Sequence, residues 1–218
     1  MRINERMNKE LTVIGRNETL ETAMKIMRDK GIRHLPVVDG GKLTGILTIS
    51  DVRRAMPSQV STLDVHEATY LFDRVKVKDA LPEHQKLITI ESDDFIEEAA
   101  LLMRAYKISS LPVVDKDGAL VGIITESNIF DAFVELLGVS SSGSRLTVAL
   151  PDKPGVLAEI TNIIQKAEVN IVRIAVFPPS NDSTYEAVIR LATGDIDPIV
   201  EMLRLHGYNV LSSKNYAR

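Results

Sequence analysis

The chain has 218 residues, 44% of them hydrophobic, enough apolar material for one large domain or two small ones. It has no cysteine, which excludes a disulfide scaffold, thiolate catalysis, cysteine-ligated zinc and iron–sulfur clusters. A formal net charge of −4 and the absence of Trp argue against nucleic acid as a partner, since no basic stripe is in view and stacking platforms are few.

The N-terminus, Met1-Arg2-Ile3-Asn4-Glu5-Arg6, is too charged for a signal peptide, and no apolar run approaches a membrane span, so a soluble cytoplasmic protein with no membrane partner is expected. A short strand is predicted at residues 12–14. Leu20, Ala23, Met24 and Met27 then recur at helical spacing. A β-branched run at 35–38, a turn at Asp39-Gly40-Gly41 and a run at 43–48 predict a hairpin, and a helix starts at Ser50. Residues 57–76 form a connector with an amphipathic helix near 64–73. The same order then returns, with strands at 88–90, 111–114 and 120–125. The second copy has one helix on Ile96, Ala99, Ala100 and Met103, and another from Ser127 with Phe130, Phe133, Val134 and Leu137 on its apolar face. Residues 139–144, Val-Ser-Ser-Ser-Gly-Ser, read as a flexible linker. Beyond it, strands at 145–150, 170–177, 184–191 and 208–211 and helices at 155–167 and 198–205 give β-α-β-β-α-β, the ferredoxin-like order.

The return is a true duplication. Residues 11–39 align without a gap on residues 87–115, with twelve identities in 29 positions, including Leu35-Pro36-Val37-Val38-Asp39 on Leu111-Pro112-Val113-Val114-Asp115. One inserted residue then brings Gly45-Ile46-Leu47-Thr48 onto Gly122-Ile123-Ile124-Thr125. The expected organisation is an α+β chain with a β-α-β-β-α repeat at 1–56, the connector at 57–76, a second repeat at 77–138, the linker at 139–144 and a third domain at 145–218.

The Leu-Pro-Val-Val-Asp strand and the Gly-Ile-Leu-Thr-Ile-Ser-Asp segment of residues 45–51 resemble the CBS domain, and the pair resembles a CBS tandem. Asp152-Lys153-Pro154-Gly155-Val156-Leu157 resembles the signature of the ACT domain. A CBS pair followed by an ACT domain is similar in architecture to acetoin-utilisation proteins of the AcuB type. The resemblance implies a regulatory, non-enzymatic homodimer that binds an adenine nucleotide such as AMP or ATP in the CBS pair. It also implies a small metabolite, such as an amino acid, at the ACT domain, and an unidentified partner enzyme.

The chemistry is readable at particular residues. Thr48 and Ser50 stand at a strand-to-helix turn, where free backbone N–H groups favour phosphate, and Asp51 can accept both ribose hydroxyls. Ile14, Ile32 and Pro36 are expected to flank the purine, with Arg33 and His34 near the phosphates. The alternative is that Thr48 and Asp51 only cap the helix. In the second copy Thr125 is kept, but Asn128 replaces Asp, Ser109 and Ser110 replace Arg33 and His34, and Glu126 adds negative charge, so a weaker second site is expected. In the ACT part, Asp152, Gly155, Asn170 and Ile171 are expected to hold a ligand, Gly155 by permitting close approach. The alternative there is a sheet used only for pairing, with Pro154 starting the helix. An assembly scaffold and an enzyme of unfamiliar chemistry are the competing readings. Against the enzyme, the four histidines are scattered without metal-ligand spacing, and Gly40-Gly41-Lys42 lacks the rest of a phosphate loop. Asp93, Asp94, Glu97 and Glu98 are ordinary dipole complements of a first helical turn.

Overall fold

The structure, a computed structural model, describes residues 1–55, 74–82, 86–138, 142–178 and 184–216. Most of the expected connector, with its helix at 64–73, therefore lies outside the described residues. The chain divides into two compact units, Met1–Phe130 and Asp131–Arg218.

The first repeat runs β1 (Ile14–Gly15), α1 (Leu20–Lys30), β2 (His34–Asp39), β3 (Lys42–Thr48) and α2 (Ile49–Ala55). Thr19 caps α1, accepting the Thr22 N–H at 3.2 Å, and the i, i+3, i+7 face buries Leu20, Ala23 and Met27. These pack on Leu35, Val37 and Leu47 of the hairpin and Val52 of α2. β2 lies between a parallel β1 and an antiparallel β3, with Leu35 opposite Leu47 and a bulge after Val37. The second repeat copies this plan: β4 (Ile90–Glu91), α4 (Ile96–Tyr106), β5 (Ser110–Val114), β6 (Leu120–Thr125) and α5 (Glu126–Leu136), with the bulge after Val113. Each opening strand is two paired residues long, and each starts two residues later than its apolar run suggests.

The segment leading into each repeat packs on the other repeat. Ile3, in a 3-10 turn, is fully buried; its N–H donates to the Asp94 carbonyl at 2.9 Å, and Asn8 exchanges two hydrogen bonds with Ile123 at 2.9 and 3.0 Å. Conversely, the short helix α3 (Val77–Ala80) serves the first repeat: Val77 sits in its core and donates to Glu18 O at 2.9 Å, and Leu20 donates to Val75 O at 3.0 Å. The leading segments of the two repeats thus cross over, each docking on the other repeat. Gly122 permits the exchange, because a β-carbon there would collide with the Met7 sulfur and stand 3.1 Å from the Asn8 carbonyl.

In α5 the expected apolar face is turned outward. Ile129 and Ala132 are buried, whereas Phe130 is 69% exposed and Phe133 and Leu137 are also exposed.

The last domain contains β7 (Gly143–Leu150), α6 (Val156–Lys166), β8 (Ile171–Phe177), β9 (Tyr185–Leu191), α7 (Asp197–Leu205) and β10 (Val210–Tyr216). Its sheet, in the order β10-β7-β9-β8, is antiparallel throughout. One face carries Leu146, Val148, Ile189 and Leu191, which form a core with Ile160 and Ile164 of α6 and Ile199 and Leu203 of α7. Gly143 and Ser144, expected in the linker, are strand residues, because both pair with β10 and Ser144 also pairs with Leu191. Gly155, not Pro154, precedes the first residue of α6.

Candidate functional site

A cleft of about 710 Å³ opens between the two repeats, lined from both. Its edge is formed where β3 turns into α2 and β6 into α5. At the first turn one carboxylate oxygen of Asp51 accepts both the Thr48 N–H (2.9 Å) and the Thr48 hydroxyl (2.6 Å), and Thr48 Oγ1 accepts the Asp51 N–H at 3.2 Å. The other oxygen faces Arg54 Nη1 at 3.5 Å, an ion pair on an exposed arginine. In the second copy the Asn128 side-chain oxygen takes the same two bonds from Thr125, at 2.9 and 2.7 Å. Asn therefore serves the turn as well as Asp does, and the cap hydrogen bonds are made in both copies. What Asp51 adds is charge and a second acceptor, shared among the described residues with a solvent-exposed guanidinium.

Of the expected nucleotide-site residues, Ile32, Arg33, His34, Thr48, Ser50, Thr125 and Asn128 line the cleft. Ile14 and Pro36 are not among the lining residues: Ile14 is buried in the core of the first repeat, where it pairs with Val37, and Pro36 is buried on the opposite face of β2, beside Ile46 of β3. Asp51 stands behind Thr48, almost buried. The apolar wall is instead built from Ile46, Leu87, Ile88, Ile108 and Ile123. Glu126 lines the cleft as expected, but Lys86 and Lys107 also reach the lining, so the second copy is not stripped of positive charge as its Ser109 and Ser110 suggest. Lys86 is steadied by the Tyr106 ring at 5.2 Å. The duplicated Gly-x-x-Thr hairpin pointed to Ile46 and Ile123; the lysines have no basic counterpart in the first copy and left no signal.

His34 Nε2 and Ser109 Oγ meet at 2.8 Å, a hydrogen bond joining the two repeats across the cleft. Burial holds the His34 pKa below the ordinary 6.5, and the Arg33 charge lowers it further, while Asp51 acts in the opposite direction. His34 is accordingly a neutral imidazole near pH 7.

In the last domain a second pocket, of about 510 Å³, is lined by Leu150, Asp152, Gly155, Val176 and Tyr185. Asn170 and Ile171 are not part of it. β7 and β8 both run antiparallel to β9, so the loop after β7 and the start of β8 lie at opposite ends of the sheet. Gly155 has φ +91° and no atom within 4 Å of where a β-carbon would stand. Backbone conformation, not close approach within one chain, explains this glycine. Gly155→Val should therefore lower stability by about 1–2 kcal/mol through left-handed strain, while Gly155→Asn should cost less because Asn tolerates that region. Urea denaturation of both variants checks this, and equal losses would return the explanation to sterics.

Among the described residues there is no cluster of three His, Asp or Glu side chains able to hold a metal and no helix long and apolar enough to cross a membrane.

A duplicated β-α-β-β-α unit closing on a shared cleft, followed by a ferredoxin-like domain, defines a regulatory ligand-binding protein. The chain belongs to the CBS-domain family: the CBS domain matches residues 3–58 and 77–135, and the ACT domain matches residues 144–205. A CBS domain-containing protein of Dictyostelium discoideum is 34% identical over 136 residues, 62% of this chain and 92% of that protein. Archaeal homoserine O-acetyltransferases also align, but the chain spans less than a quarter of their length. A solved candidate acetoin utilization protein (AcuB) from Vibrio cholerae is similar at 28% identity and a TM-score of 0.51, over 64% of this chain and 95% of that one. A CBS domain pair solved with 5-methylthioadenosine and S-adenosyl-L-methionine is 28% identical with a TM-score of 0.50, over 61% of this chain and 99% of that one.

Proposed function

We propose that the CBS pair senses a phosphorylated adenosine, AMP or ATP, and passes its occupancy to a partner enzyme. The carrying observation is the composition of the cleft, where an isoleucine-rich wall suited to a purine stands beside Arg33, Lys86 and Lys107. The similar CBS pair solved with 5-methylthioadenosine and S-adenosyl-L-methionine supports an adenosine ligand. The three cations outnumber the one lining carboxylate, Glu126, and so favour a ligand bearing phosphate over a sulfonium, which they repel. The roles of Ile32, His34, Thr48, Ser50, Asp51, Thr125 and Asn128 in this site belong to the same proposal. So do a small metabolite beside Asp152 and Gly155, pairing of two chains, a non-catalytic role, and a place in acetoin utilisation, the last supported by the likeness to the Vibrio protein.

Calorimetry with AMP, ATP and S-adenosyl-L-methionine tests the ligand class. The nucleotides are expected to bind more tightly, and preference for the sulfonium would overturn the reading. The pH dependence has a definite sign. A neutral His34 makes the free protein lose stability as pH falls below 6.5, where the unfolded chain takes up the proton first. A bound phosphate favours the imidazolium, so nucleotide binding takes up a proton, and affinity should rise from pH 7.5 to pH 6 by less than the factor of about thirty that one full proton allows. A flat profile would separate His34 from the phosphates.

A further inference from the structure

A row of four cations crosses the face of the ACT sheet that its helices leave uncovered. The register sets Lys214 of β10 beside Arg145 of β7, Arg145 beside Arg190 of β9, and Arg190 beside Arg173 of β8. Laterally paired residues share a face, and these alternate with Leu146 and Ile189 of the core, so all four lie on the side away from α6 and α7. Like charges directly opposite one another across strands are unfavourable. Here three such pairs follow in succession, in a chain whose net charge is negative.

The one-step neighbours toward the far end of that face, Ser212, Thr147, Val188 and Ala175, bring no acid, and none of the four cations has an ion pair within 4 Å among the described residues. The centre of the row is also the part withdrawn from water. Arg190 is only 7% exposed, and its Nε has no hydrogen-bond partner among the described residues. Its guanidinium lies over the Tyr216 ring at 5.1 Å, and Lys214 Nζ approaches the same ring at 5.1 Å. A β-carbon on Gly138, just past the end of α5, would stand 3.0 Å from Arg190 Cδ and 3.1 Å from Arg173 Cγ, so the chain there rests on the aliphatic stems. The end of that helix brings the partial negative charge of its carbonyls and, three residues before Gly138, the carboxylate of Glu135, which among the described residues is in no ion pair with the four cations.

We propose that this row is a binding site for a small multivalent anion carrying phosphate or carboxylate groups. Arg145, Arg190 and Arg173 would be its ligands and Tyr216 the platform that orients Arg190. Guanidinium groups on adjacent strands are spaced to bind oxygens of one such molecule together, and charge-assisted hydrogen bonds would offset the repulsion along the row. Two copies facing each other by a two-fold axis through this row would set arginine against arginine, which disfavours self-pairing as the occupant. The site is at the opposite end of the sheet from the Gly155 pocket and does not depend on the nucleotide proposal.

Titration of the full chain with inorganic pyrophosphate, and separately with citrate, tests it. Wild type should bind at least one of them, and R145Q/R173Q should bind that anion at least about tenfold more weakly. The double variant keeps Arg190 in place, and its melting curve and AMP titration should match wild type. Pyrophosphate alone identifies a phosphate ligand and citrate alone a carboxylate, either one supporting the site. No binding of either anion, unchanged affinity and stoichiometry in the double variant, or loss only in Lys86→Gln, would overturn the proposal. So would binding of poly-glutamate without either small anion, which would make the row a protein-docking surface.

Discussion

Ile3→Ala should destabilise the CBS pair by about 2–5 kcal/mol, as truncation of a fully buried isoleucine does elsewhere, although it is the third residue of the chain. Ends of chains ordinarily tolerate change unless something ties them down. Here the tie is visible. The Met1 carbonyl accepts the N–H of Ile96, the first residue of α4, at 3.2 Å, just as Val75 accepts the N–H of Leu20, the first of α1. These bonds satisfy helix N–H groups that no residue inside the helix can reach. Asn8 then continues onto Ile123, over the space that Gly122 leaves free. Urea denaturation gives the magnitude, and Ile3→Val, expected to cost about 0.5–1.5 kcal/mol, calibrates the methyl contribution. A loss below about 0.5 kcal/mol for the alanine variant, the range of an unremarkable surface change, would mean that residues 1–8 do not dock on the second repeat in solution.

Asp51→Asn should weaken AMP by at least about tenfold while leaving the fold intact. The second repeat supplies the control for this variant, because Asn128 already makes the Asp51 hydrogen bonds to its own threonine with nearly the same distances. The substitution therefore keeps the cap and removes only the charge and one acceptor. Hydrogen bonds to a charged group contribute about 1.5–3 kcal/mol each, and about 1.4 kcal/mol is a factor of ten. The ribose hydroxyls need only displace Arg54, whose ion pair is solvent-exposed and worth little. Asn128→Ala should reduce affinity less, since it removes neutral bonds. Calorimetry on both variants separates the outcomes: wild-type affinity in Asp51→Asn would reduce Asp51 to a cap, and loss in Asn128→Ala alone would move the working site to the second repeat.

Much of this was legible in the residues. The offset of 76 between Leu35-Pro36-Val37-Val38-Asp39 and its copy, the helical spacing of Leu20, Ala23 and Met27, and the Thr48 and Thr125 turns are local patterns. Periods of two and of 3.6 residues follow from backbone geometry, so the chain writes them wherever one face is buried. The duplication adds that two such units share one plan. Nothing local distinguishes Ile3 from any apolar residue near a terminus, and its equivalence to Val77 becomes clear only once each is seen docked against the other repeat. The same holds for Lys86 and Lys107, far apart in the chain and joined at the cleft by folding. Phe130, Phe133 and Leu137 match a helical stripe, yet the helix buries Ile129 and Ala132, because which face turns inward depends on what lies beside it. In the last domain the strand order puts Asn170 and Gly155 at opposite ends of the sheet, and the register sets Arg145, Arg190 and Arg173 side by side. The sequence by itself determined the elements, their duplication and the threonine turns, which depend on neighbours a few residues away. The exchange of leading segments, the cleft's lysines and the arginine row were decided by tertiary structure, because pairing register and docking are set by contacts between residues distant in the chain.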